Sequence, residues 1–113
     1  MLVTDVKTFV VGNPPPRFGG RYFIFVKLTT DSGVTGIGEV YTATYSPHLV
    51  AKMVEEVAQR HVIGHDPFHI EMMWRNVYGR GYSLRPDLTT GGIVSGLEMA
   101  MWDICGKETG KPV

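Results

Sequence analysis

Residues Ser95 to Val113, S-G-L-E-M-A-M-W-D-I-C-G-K-E-T-G-K-P-V, restrict the fold more than any other stretch, because they read as a helix that water can cover on neither side. Ile93, Leu97, Ala100, Met101 and Ile104 recur at helical spacing, while Val94, Met99, Trp102 and Cys105 fill much of the opposite side. Such a helix requires burial, so the remaining elements are expected to pack around it. Gly110 supplies a left-handed residue to end it, and Pro112 blocks continuation. One residue later the sequence stops, where a connection to a further element is expected.

A chain of 113 residues, 43% of them hydrophobic, has room for one core and so for one domain, residues 1–113. Eleven basic residues balance eleven acidic ones, which excludes the electrostatic footprint of a nucleic-acid or anionic-membrane partner. The single cysteine, Cys105, falls inside the apolar helix with no second cysteine to bridge, and reads as a buried, inert thiol in a reducing compartment. Neither a signal-peptide layout nor a run near the ~18 apolar residues of a membrane span occurs. The expectation is a soluble, cytoplasmic protein.

From Leu2 to Val11 the chain reads as a first strand, followed by a stiff loop, Asn13-Pro14-Pro15-Pro16-Arg17-Phe18-Gly19-Gly20. Tyr22 to Thr30 is a second strand. Ile24, Val26 and Leu28 lie on one side of it and Phe23 and Phe25 on the other, which predicts a central strand covered on both faces. Thr30-Asp31-Ser32-Gly33 is a hairpin turn, and Val34 to Tyr41 returns antiparallel. Gly36 and Gly38 sit inside this third strand without a following helix, so they indicate close approach of a neighbour rather than a dinucleotide loop.

Ser46-Pro47 predicts a helix start, with Leu49, Val50, Met53, Val54 and Val57 as the buried stripe and Gly64 beyond its end. Asp66-Pro67 predicts a second start, with Ile70, Met73, Trp74, Val77 and Tyr78 buried. A third polar loop spans Tyr82 to Thr90, with Thr89 or Thr90 expected to cap the last helix. His61, His65 and His69 would suit a metal only on one continuous helix, which Gly64 and Pro67 interrupt. Glu39 at a strand end reads as exposed or paired. Glu98 and Asp103 point apart and make no acid–base dyad; Asp103 can pair with Lys107, and Arg75 or Arg80 are the expected partners of these carboxylates. The pattern predicts an α+β fold: a three-stranded antiparallel meander followed by three helices packed on one face.

Three stretches carry a family resemblance: T-D-S-G-V-T-G-I-G-E-V in the hairpin, G-H-D-P-F-H-I-E-M-M-W between the first two helices, and S-G-L-E-M-A-M-W-D-I-C-G-K-E-T-G-K-P-V. Together they resemble the N-terminal capping domain of the enolase superfamily, in its mandelate racemase and muconate lactonizing branch, and most of all the acid-sugar (galactonate-type) dehydratases. The resemblance implies a cap over the mouth of a (β/α) barrel, and abstraction of a proton next to a carboxylate with Mg²⁺ holding the enediolate. Its metal carboxylates and bases come from barrel strands. A barrel takes ~250 residues, so the chain is expected to be an excised or truncated domain, inactive alone, whose partners are its own barrel, a sugar-acid substrate and further copies in a homo-oligomer.

The resemblance also implies two specificity loops, Asn13 to Gly20 and Thr42 to His48. It assigns substrate contacts to Arg17, Phe18, Tyr45 and His48, and neither catalytic nor metal-binding residues to this chain. Racemisation, epimerisation or cycloisomerisation are the alternatives within the superfamily. A stand-alone small-molecule binding module and an oligomerisation module are the alternatives outside it. Because three helices cannot cover both the sheet and the apolar helix, an uncovered apolar surface meant for a barrel is expected.

Overall fold

A computed structural model describes residues 1–12, 22–41, 46–79 and 87–113. Three strands come first, β1 (Val3–Val11), β2 (Phe23–Thr30) and β3 (Thr35–Val40), and three helices follow, α1 (Pro47–His61), α2 (Ile70–Gly79) and α3 (Leu88–Thr109). The strands form an antiparallel meander in the order β1-β2-β3, and the helices lie on one face of it. This is the expected α+β layer.

Strand alternation decides what that layer covers. Ile24, Val26 and Leu28 are buried under the helices, joined from β1 by the half-buried Val6 and Val10. Val3 would fall on the other parity, but the β1–β2 register slips between Val3 and Asp5, and this bulge turns Val3 into the core. Phe23 and Phe25 face away from the helices. They stack on each other with centroids 6.3 Å apart, and Phe9 stands opposite Phe25. β2 is therefore central but covered on one face only among the described residues: aromatic side chains shielding one another on a strand look, in sequence, like a strand buried twice.

α3 lies on β3 almost backbone to backbone. A Cβ built on Gly36 or Gly38 would collide with the carbonyl oxygens of Ala100 and Gly96, and one on Gly96 would strike Val40. The three glycines thus remove the side chains that would hold the layers apart. The same approach lets α3 close the sheet edge. Asp103 and Lys107 pair at 2.9 Å, Ile37 N–H donates to Asp103 Oδ2 at 3.0 Å, and Lys107 Nζ donates to the Thr35 carbonyl at 2.8 Å. Edge-strand groups otherwise open to another chain are satisfied from within.

Helix boundaries depart from the sequence reading in ways that local chemistry explains. Ser46 holds the N-cap position of α1 but its side chain makes no capping bond, and Leu49 is exposed while Ala51 and Ala58 are buried. Small residues face the sheet because β1 passes close by. Asp66-Pro67 makes a turn instead of starting α2: Phe68 N–H donates to Asp66 Oδ1 at 2.9 Å, and the helix begins at Ile70. Asp87, not Thr89 or Thr90, caps α3, accepting from Thr90 N–H at 2.8 Å. An ionised carboxylate accepts more strongly than a hydroxyl and also meets the positive helix end. Gly110 ends α3 at φ 68°, as expected.

Candidate functional site

The connections of this layer fall at two ends, and the ends differ. At one, Gly33 at φ 86° closes the β2–β3 turn, Leu2 N–H donates to Asp31 Oδ1 at 3.0 Å, and Val3 exchanges backbone hydrogen bonds with His65 and Gly64 at 2.9 and 2.8 Å. Cys105 Sγ reaches the Pro67 carbonyl at 3.7 Å close by. This end is tied shut. Burial, and then the charge of Asp66, pushes the Cys105 thiol up, so it is a packed side chain and not a nucleophile.

The other end carries the boundaries of the three segments 13–21, 42–45 and 80–86. β1 leaves there at Val11, opposite Phe23, and β3 at Val40, opposite Ile24. α1 runs back along β1, with Glu55 accepting from Thr8 Oγ1 at 2.9 Å, which places its start at Ser46-Pro47 on the same end. α2 runs against α3, and the Tyr78 hydroxyl oxygen comes to 3.8 Å of a Cβ built on Gly91. A Cβ on Gly92 would stand 3.2 Å from Tyr41. The first turn of α3 thus touches the exits of both α2 and β3.

Arg17, Phe18 and Tyr45 lie outside the described residues, and the third polar loop is described only from Asp87 onward. His48 is described, and it is not in the second loop as the resemblance implied: Ser46-Pro47 starts α1, and His48 is exposed in its first turn, next to segment 42–45. That turn contains no acidic residue, so no carboxylate of its own offsets the positive helix end beside His48. Tyr22 and Tyr41 are exposed at this end too, although as strand-flanking residues nothing in their pattern singles them out; adjacency to a polar loop was the available signal. Two groups here are electrostatically set. Hydrogen bonds from the Thr90 N–H and hydroxyl hold the Asp87 carboxyl below its ordinary range, and burial, followed by the nearby Asp87 charge, raises the Tyr78 phenol.

Among the described residues no three His, Cys, Asp or Glu side chains converge as a metal site. Glu98 accepts from Trp74 Nε1 at 2.8 Å and Trp102 Nε1 at 3.2 Å, so its partners are indoles and not Arg75 or Arg80. Asp103 is taken by Ile37 and Lys107. His61 ends α1, His65 Nδ1 lies 3.1 Å from the Ile63 carbonyl, and His69 precedes α2, so no helix carries the three together. These donors do not fit Mg²⁺, which needs near-octahedral oxygens.

The family model for the mandelate racemase/muconate lactonizing enzyme N-terminal domain matches residues 17–113. The chain belongs to this family. Among members of the mandelate racemase/muconate lactonizing group, it is 40% identical over 93 residues to a D-galactonate dehydratase family member from Pseudarthrobacter chlorophenolicus, covering 82% of this chain and 22% of that protein. A crystal structure from Labrenzia alexandrii, assigned to the mandelate racemase/muconate lactonizing enzymes, superposes with TM-score 0.88 at 61% identity, over 96% of this chain and 28% of that one. A racemase from Streptomyces coelicolor with bound magnesium superposes with TM-score 0.77 at 28% identity, over 96% of this chain and 31% of that one. The chain thus spans about a quarter of the length of the proteins it matches.

Proposed function

We propose that this chain is the substrate-specificity cap of a larger Mg²⁺-dependent enzyme that removes the proton α to a carboxylate, acting on a sugar acid and eliminating water. The observation that carries this reading is the gathering of three loop boundaries at one end of a rigid α+β layer, in a family member whose relative is named for galactonate dehydration. Binding loops are best mounted on a scaffold that holds their bases still. In this reading the remaining three quarters of the parent supply a (β/α) barrel, and Mg²⁺ and the proton-transfer groups belong there. Magnesium would stabilise the negative charge that develops on the substrate carboxylate.

This chain's own task is to bind and to exclude water. Arg17 pairs with a carboxylate or hydroxyl of the substrate, Phe18 keeps water from the reacting carbon, and Tyr45 and His48 hydrogen-bond the polyol chain. The reading keeps the parent in the cytoplasm as a homo-oligomer; no described helix is long and apolar enough to cross a membrane.

Racemisation or epimerisation is the second reading, favoured by the name of the Streptomyces coelicolor neighbour. A panel of aldonic acids offered to the Mg²⁺-loaded parent in D₂O separates the two. Loss of water with formation of a keto acid supports dehydration, whereas deuterium entering the α position of a recovered isomer supports racemisation. Absence of both across the panel would sink the sugar-acid reading.

A further inference from the structure

Two apolar surfaces remain uncovered among the described residues, and they are unequal. The outer sheet face presents Phe9, Val11, Phe23 and Ile37, but its middle row pairs Lys7 with Lys27 across strands, and Lys7 Nζ sits 5.3 Å over the Phe9 ring. Asp5 and Glu39 share this face, and burying four charged side chains together carries a large desolvation cost. The second surface is concave. Between α2 and the C-terminal half of α3 runs a groove of about 840 Å³ whose wall includes Phe68, Met72, Trp74 and Trp102. Phe68, Met72 and Trp102 are 45%, 51% and 47% exposed.

The groove is prepared for burial. Its floor carboxylate, Glu98, is already satisfied by both indole N–H groups, which also locks the two rings in place. Trp74 is further held by stacking on Tyr78 at 5.5 Å. Preset aromatic anchors with no unpaired floor charge are the usual core of a docking surface. The charges that remain, Glu71, Arg75 and Lys111, are of both signs.

One wall of the groove is the tail itself, Lys111 to Val113. Lys111 N–H donates to the Gly106 carbonyl at 2.9 Å, and a Cβ on Gly106 would lie 2.8 Å from the Lys111 carbonyl oxygen and 3.2 Å from Val113. The missing side chain at Gly106 therefore lets the tail lie flat on α3. The family is an N-terminal domain, and the relatives run to about four times this length, so the polypeptide that continues in them emerges along the groove wall.

The geometry points to this groove, and not the outer sheet face, as the seat of the C-terminal remainder of the parent, which enters it with apolar side chains. The inference rests on the reading above that the chain is the N-terminal part of a longer enzyme. Its test is independent of catalysis. The intact parent is treated with hydrogen peroxide, and oxidation of each methionine is followed by mass spectrometry, with the parent unfolded in denaturant as reference. Met72, which lines the groove and is exposed in this domain, should oxidise as slowly as the buried Met73 and Met101, at every protein concentration. Rates equal to those of the unfolded parent would overturn the inference while leaving the enzymatic reading intact. Protection that disappears on dilution would also overturn it, because a second copy would then be the occupant. A parent that protects Met72 yet turns over no sugar acid would sink the enzymatic reading alone.

Discussion

At the scale of single residues, Gly36, Gly38 and Gly96 set the distance between sheet and helix. A methyl group at Gly38 meets a backbone carbonyl, which cannot rotate away as a side chain would. Gly38→Ala is expected to cost roughly 1–3 kcal/mol, the range for overpacking a close contact. Gly79→Ala places its methyl in open space at a helix end and should change stability little. Urea unfolding of both variants checks the pair, and equal midpoints would contradict the backbone-to-backbone contact. Cys105 gives a second residue-scale expectation. With its thiol buried and its ionisation disfavoured, a thiol reagent should label it only as the domain unfolds, and rapid labelling of the native protein would contradict this.

At the scale of elements, α3 determines most of the architecture. It fills the sheet face with Ile93, Leu97, Ala100, Met101 and Ile104 and closes the β3 edge through Asp103 and Lys107. Its start depends on Asp87, and Asp87→Ala should cost about 1 kcal/mol, measured by chemical denaturation, since the N-cap bond to Thr90 is lost. Asp103 links the edge clamp to pH. Burial works against its charge, but the hydrogen bonds from Lys107 and Ile37 outweigh this and leave its carboxyl below the ordinary range. A depressed carboxyl stabilises the fold above its unfolded pKa, near 4, and that contribution is lost as pH falls through the folded value. Asp103→Asn should therefore flatten the fall of urea midpoints on acidification below about pH 4. An unchanged slope would mean that the clamp contributes nothing.

At the scale of the whole molecule, the two ends have separate tasks. The tied end holds the scaffold, and the opposite end gathers the loop boundaries that the proposed function uses. In the parent enzyme, Arg17→Ala is expected to lower turnover of an acid sugar while leaving the unfolding temperature of the domain unchanged; identical kinetic constants across a sugar-acid panel would remove Arg17 from the substrate contacts. Titration of this 113-residue chain with Mg²⁺ in a calorimeter should show no tight binding, since no three His, Cys, Asp or Glu side chains converge among the described residues. Micromolar affinity would place the metal site in this domain.

Strand and helix order, the hairpin turn, the stop at Gly110 and the close-packing purpose of Gly36 and Gly38 were all legible in the residues, because each rests on local periodicity or on a residue with one conformational use. Of the expected loop residues, Arg17, Phe18 and Tyr45 lie outside the described residues, and His48 belongs to the first turn of α1 because Ser46-Pro47 already starts the helix. What the sequence could not decide is which side of a doubly apolar element finds a cover. Phe23 and Phe25 look as buried as Ile24 and Val26, and Met99 and Trp102 look as buried as Leu97 and Met101, because hydrophobicity is a property of the side chain and burial a property of its neighbours. Tertiary structure also chose Asp87 over Thr89 or Thr90 as the cap, and indoles over arginines as partners for Glu98. Those choices depend on which groups the packing of α2 against α3 brings within hydrogen-bonding reach, and distance across the fold is not written in spacing along the chain.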